Sequence, residues 1–160
     1  MDRYEEQLTI LMADDDADDY LFLEEAIKAA GIPGNLSRVS DGEELMDYLL
    51  QQGLFAERMD APMPKVIFLD LDMPKKTGFE ALGEIRSHPR LKEIPIIVYT
   101  TSGDDMNIRK CYDAGANSYI QKPSSFEGMI DMMTDVAAYW TRTVRLPGTL
   151  STTGPSSVAA

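Results

Sequence analysis

A parallel α/β fold, one sheet wrapped on both faces by helices, is the class this sequence predicts, and three observations predict it. Short apolar runs recur and stop at polar, mostly acidic, residues; amphipathic stretches of helical period lie between them; and the two kinds of segment alternate five times. Apolar runs without polar alternation suit strands buried on both faces. Right-handed crossovers then place the intervening helices on the two sides of the sheet.

The first run is Leu8 to Ala13, followed by the weaker Leu36 to Val39, then Val66 to Leu69. Ile94 to Tyr99, broken at Pro95, and Ser118 to Ile120 supply the last two strands. Between them, Tyr20, Leu23, Ala26, Ile27 and Ala30 recur at helical spacing, as do Leu45, Met46, Leu49 and Leu50, and Phe79, Leu82 and Ile85. Ser40 with Glu43 and Thr77 with Glu80 have the capping-box spacing, in which two side chains satisfy unpaired donors at a helix start. A last stripe of Phe126, Met129, Ile130, Met133, Val136, Ala137 and Trp140 reads as core. Gly53 to Lys65, with Pro62 and Pro64, predicts an exposed loop. From Pro147 the composition turns to Gly, Ser, Thr and Ala, so one domain over 1–146 and a disordered tail over 147–160 are expected.

A chain of 160 residues suffices for one core, and no apolar run is long enough to span a bilayer. The opening MDRYEEQ has no secretory pattern, and a single cysteine, Cys111, forms no internal disulfide; a cytoplasmic location is the expectation. A net charge of -12 argues against nucleic acid or anionic lipid as partner, because both require clustered Lys and Arg. Partners should be proteins or cations.

In open α/β sheets, sites form beyond the carboxyl ends of the strands. Here those ends carry Asp14, Asp15, Asp70, Thr100, Thr101 and Lys122. Carboxylates crowded at one edge repel unless a cation sits among them. Mg2+ fits, since it prefers hard oxygen ligands and needs few from the protein; Asp15 and Asp70 are the expected direct ligands. An aspartate can also form an acyl phosphate when an incoming phosphoryl group is held in line and its charge neutralised. Asp70 suits that role, with Lys122 and the Thr100 hydroxyl as donors to phosphoryl oxygens. Asp16, Asp18 and Asp19 read instead as a solvated helix start, where carboxylates favour the positive end of the dipole.

As an ordered set these residues resemble the receiver domain of two-component response regulators, over roughly Thr9 to Trp140. The strand ILMA leads into Asp14-Asp15; FLDLDMPKKTG carries Asp70, Met73, Pro74 and Gly78; IIVYTT ends at Thr100; and AGANSYIQKP supplies Tyr119, Lys122 and Pro123. The resemblance implies a flavodoxin-like (βα)5 fold with strand order 2-1-3-4-5. It implies Asp70 as phosphoacceptor for a histidine kinase, and Mg2+ on Asp15, Asp70 and the backbone carbonyl of Asp72, with Asp14 acting through a water. Thr100 and Tyr119 would be the switch pair acting on the face of the fourth helix, fifth strand and fifth helix, and Pro123 would follow a cis peptide bond. The Gly53 to Lys65 insertion and the ending YWTRTVRLP look most like the small regulators of bacterial and cyanobacterial phytochromes. That narrower likeness implies a phytochrome kinase as partner, self-association into a homodimer, and no DNA-binding output, few residues following Trp140.

Three other readings compete. VIFLDLDMP also resembles the first motif of haloacid-dehalogenase-type phosphatases, but those place their acidic pair after the lysine motif, whereas Asp14-Asp15 comes first. Asp14, Asp16, Asp18 and Glu25 fall at calcium-loop positions, yet Asp19 stands where such a loop needs glycine. His88, the single histidine, excludes histidine metal clusters and triads and reads as a loop residue. Tyr139 and Trp140 could form a partner patch, though Trp140 is expected to pack on the core.

Overall fold

The computed structural model describes residues 7–58 and 63–148. Five strands, β1 (Leu8–Ala13), β2 (Gly34–Val39), β3 (Val66–Leu69), β4 (Ile96–Thr100) and β5 (Ser118–Gln121), pair in parallel in the order 2-1-3-4-5. Five helices alternate with them: α1 (Ala17–Ala29), α2 (Gly42–Leu50), α3 (Gly78–Ser87), α4 (Asp105–Asp113) and α5 (Phe126–Ala138). The flavodoxin-like doubly wound fold read from the sequence is therefore the one observed.

The three inner strands, β1, β3 and β4, are largely apolar because both their faces are covered, and successive side chains point to opposite faces. Leu11, Ala13, Ile67, Leu69, Ile96 and Val98 face the layer made with α2 and α3, where Leu45, Leu49, Leu82 and Ile85 are buried. Ile10, Met12, Val66, Phe68, Ile97 and Tyr99 face the other layer, with Leu23 of α1 and Met133, Val136 and Ala137 of α5. Each fully buried aliphatic side chain contributes about 1.5–3 kcal/mol relative to exposure. Register aligns Ala13 with Leu69 and Leu69 with Val98, so the residues following these strands meet at one edge.

Several local expectations shift. β2 begins two residues earlier than its apolar run, because as an edge strand it is exposed over its first residues and carries no hydrophobic signal there. β4 starts after Pro95, which has no N–H for the ladder, and runs on to Thr100. The cap of α2 is Asp41, not Ser40: its carboxylate accepts from Glu44 N at 2.8 Å, and the Glu44 carboxylate accepts from Ser40 N at 3.0 Å. The start is fixed there because Gly42 lies against the Lys76 carbonyl, where a Cβ would come within 2.3 Å. The Thr77–Glu80 capping box is present as read.

The loop after α2 is not wholly exposed. Gly53–Phe55 forms a 3-10 turn whose Phe55 is buried edge-on against Tyr48. A lone aromatic has no periodicity, so nothing in the pattern marked it. Residues 59–62 of that loop, and 149–160 of the expected tail, lie outside the described residues. Phe79 and Phe126 turn outward, while Trp140 packs on the α1/α5 layer from a π-helical turn, Tyr139–Thr143. Cys111 is buried and unpaired, and no described helix is long and apolar enough to cross a membrane.

Candidate functional site

Asp14 directly follows β1; its N–H donates to Val39 O at 3.0 Å and its side chain is fully buried. Its Oδ1 accepts from Asp16 N at 2.9 Å and its Oδ2 from Lys122 Nζ at 2.7 Å. Asp70 directly follows β3 and is also buried; it accepts from Asp72 N at 3.3 Å and from Lys122 Nζ at 3.3 Å. The loop after Asp70 folds back on itself, with Gly78 N donating to Leu71 O. Gly78 is required there, because a Cβ would lie 2.0 Å from the Asp70 carbonyl oxygen.

Lys122 follows β5, its N–H donating to Thr100 O at 2.7 Å and its side chain only 7% exposed. The ammonium makes three hydrogen bonds, to Asp14, Asp19 and Asp70. It also lies 5.7 Å from the centroid of the Tyr99 ring. At the end of β4, the Tyr99 and Thr100 hydroxyls are buried without a hydrogen-bond partner. Tyr119 is half-buried and donates from its hydroxyl to Ser102 O at 2.8 Å. Thr101 is exposed.

Burial pushes the Asp14 carboxyl up to about 6, and the charge of Asp70 adds to the rise; bonds from Lys122 and Asp16 N–H oppose it. Burial alone would weaken the Lys122 ammonium, but the bonds to Asp14 and Asp19 and the charges of Asp70 and Asp14 outweigh it. Lys122 is held above the ordinary lysine range and carries its charge. Ligand oxygens of Asp14, Asp15 and Asp70 lie within 4.8 Å of one another. An all-carboxylate set of this kind fits a hard divalent cation.

The predicted residues Asp14, Asp15, Asp70, Thr100 and Lys122 are thus brought to one edge, while Asp72 joins through its backbone N–H and keeps its side chain exposed. Pro123 is a correction: every peptide bond among the described residues is trans. The trans form is the intrinsically favoured one for X–Pro, and Lys122 reaches all three carboxylates with it.

Asp16 caps α1 by accepting from Asp18 N and Asp19 N, as a helix start should. With a strand before it and Asp16 engaged as cap, this segment is not a calcium-loop helix pair. Asp19 was missed as a site residue. It stands on the first turn of α1 and reaches Lys122 across the strand ends, a contact that no local spacing marks. His88 closes α3 and accepts from Arg90 N, as a loop residue.

Comparison with known proteins agrees with this geometry. The sequence profile described as "Response regulator receiver domain" matches residues 10–134. Response regulator Rcp1 of Synechocystis is 36% identical over 138 residues, covering 86% of this chain and 92% of its own. Among solved structures, the phosphorylated cyanobacterial phytochrome response regulator RcpA superposes with a TM-score of 0.80 at 35% identity, covering 89% of this chain and all of its own. The Mn2+-bound form of Rcp1 superposes at 0.76 with 33% identity, covering 88% and 99%. No support for a phosphatase comes from any of these. With the motif order, the strand order and the clustered strand-end residues all in agreement, the chain belongs to the response regulator receiver domain family.

Proposed function

We propose that Asp70 accepts a phosphoryl group from the phosphohistidine of a sensor histidine kinase. The observation that carries this reading is the buried Asp70 carboxylate beside a charged Lys122, with the unpartnered Thr100 hydroxyl at the next strand end. An Asp70 oxygen forms the new bond to phosphorus as the bond to the kinase imidazole nitrogen breaks; the other ring nitrogen, protonated from solvent beforehand, keeps that proton, so the donor leaves as neutral imidazole. Lys122 donates to one phosphoryl oxygen and Thr100 to another. Mg2+, bound by Asp15, Asp70 and the Asp72 carbonyl, with Asp14 through a water, would neutralise charge on the phosphoryl oxygens. The carboxylate set supports a divalent ion at this place, and the existence of a Mn2+-bound form of the similar Rcp1 supports divalent-ion binding.

The output follows from where Thr100 sits. Drawn to the phosphate, its hydroxyl gains the partner it lacks, and Tyr119, tied to Ser102 two residues on, moves inward with the loop. The adjoining helix is the least anchored: α4 buries only Cys111 and exposes Met106 and Tyr112. A local charge change thus biases the face of α4, β5 and α5.

The likeness to RcpA, a phytochrome response regulator, supports a phytochrome as the partner kinase. Self-association into a homodimer and a cytoplasmic location complete the reading; the unpaired, buried Cys111 suits a reducing compartment. Phosphotransfer tests it: label on an autophosphorylated phytochrome-type kinase should pass to the wild-type chain and not to Asp70→Asn. Transfer to Asp70→Asn would reject Asp70 as acceptor.

A further inference from the structure

We propose that Asp19 is a positioning residue for Lys122, a third carboxylate that holds the ammonium away from Asp70 in the resting protein and restrains the gain of phosphate. The inference rests on Asp70 being the phosphoacceptor. Lys122 Nζ lies 2.6 Å from Asp19 Oδ2 and 2.7 Å from Asp14 Oδ2, but 3.3 Å from Asp70 Oδ2. An ammonium has three donors, and all three are engaged. The two short, charge-assisted bonds therefore set its position, on the side away from Asp70.

The three carboxylates differ in how readily they can let go. The Asp14 and Asp70 side chains are 1% and 9% exposed, so losing the ammonium would strand a buried charge. The Asp19 side chain is 25% exposed and stands on the first turn of α1, where water replaces a lost partner. When a phosphoryl group arrives, Asp19 is the partner that releases, and the freed donor turns to a phosphoryl oxygen. The Tyr99 ring, its centroid 5.7 Å from Nζ, adds attraction for the cation at that edge. Helix-start carboxylates are ordinarily bystanders; Asp18, exposed on the same turn, has no contact with Lys122 among the bonds described and supplies the natural control.

The test compares wild type with Asp19→Asn, Asp18→Asn and Asp19→Glu during phosphorylation by acetyl phosphate with Mg2+. Asp19→Asn should take phosphate about 3-fold to 10-fold faster, the effect of removing one charge-assisted competitor, and hold it longer. Asp19→Glu should return toward the wild-type rate, Asp18→Asn should match wild type, and the acceleration should vanish in a Lys122→Gln background. Equal rates for wild type and Asp19→Asn, or equal acceleration by Asp18→Asn, would overturn the proposal. A chain that takes no phosphate at all would instead overturn Asp70 as acceptor. Hydrogen exchange of the Lys122 ammonium, followed by NMR without any phosphate donor, then decides the positioning role separately. It should be faster in Asp19→Asn than in wild type, and an unchanged exchange rate would also reject the role.

Discussion

The two ends of β4 are built on opposite principles. At its amino end Arg86 and Asn117 tie the surrounding polar groups together. The Arg86 guanidinium donates to Gly115 O, Lys92 O, Ile94 O and Asn117 Oδ1, and Asn117 Oδ1 also accepts from Ile96 N at 2.8 Å. At the carboxyl end the Tyr99 and Thr100 hydroxyls are buried and make no bond. A buried donor without a partner costs about 1–3 kcal/mol, so a chain selected only for stability would not keep two of them at successive positions. One end anchors β4 to α3 and β5; the other holds unspent hydrogen-bonding capacity at the edge that carries Asp70.

This contrast predicts that substitutions at the two ends separate stability from signalling. Arg86→Ala should have the largest effect on stability, lowering it by about 2–3 kcal/mol because several carbonyls lose a charged donor at once. Chemical denaturation measures this, and acetyl phosphate should still label Asp70; loss of labelling in the folded variant would show the two ends to be coupled. Thr100→Val should act in the other direction, raising stability by about 1 kcal/mol by removing an unpartnered hydroxyl. The same variant should still gain phosphate while its Tyr119 resonances stop responding to it. A Thr100→Val chain that is less stable than wild type would mean that the hydroxyl is bonded in solution. Tyr99→Phe should be smaller again, stabilising by up to about 1 kcal/mol and leaving the Tyr119 response intact. Asp72→Asn should leave stability unchanged and alter only the lifetime of the acyl phosphate, read as the autodephosphorylation rate; an unaltered rate would remove Asp72 from the site.

Much of this was legible in the sequence because strand ends and helix stripes are local patterns. Asp14, Asp70, Thr100 and Lys122 could be placed together from topology alone, since parallel strands deliver the residues after them to one edge. What was not legible depends on contacts between distant segments. Asp19 looked like any helix-start carboxylate, because its partner lies 103 positions away. The cap of α2 moved from Ser40 to Asp41 because the Lys76 backbone presses on Gly42. Phe55 gave no periodic signal. The anchoring role of Arg86 was equally hidden, since three of its acceptors are main-chain carbonyls.

The central claim is that Asp70 is the phosphoacceptor, and intact mass measurement after incubation with acetyl phosphate tests it most directly. With Mg2+ present, one phosphoryl group should appear on the wild-type chain, none without the ion, and none on Asp70→Asn. A Mg2+-dependent adduct on Asp70→Asn equal to that on wild type, or its absence from the wild-type chain, would contradict the account.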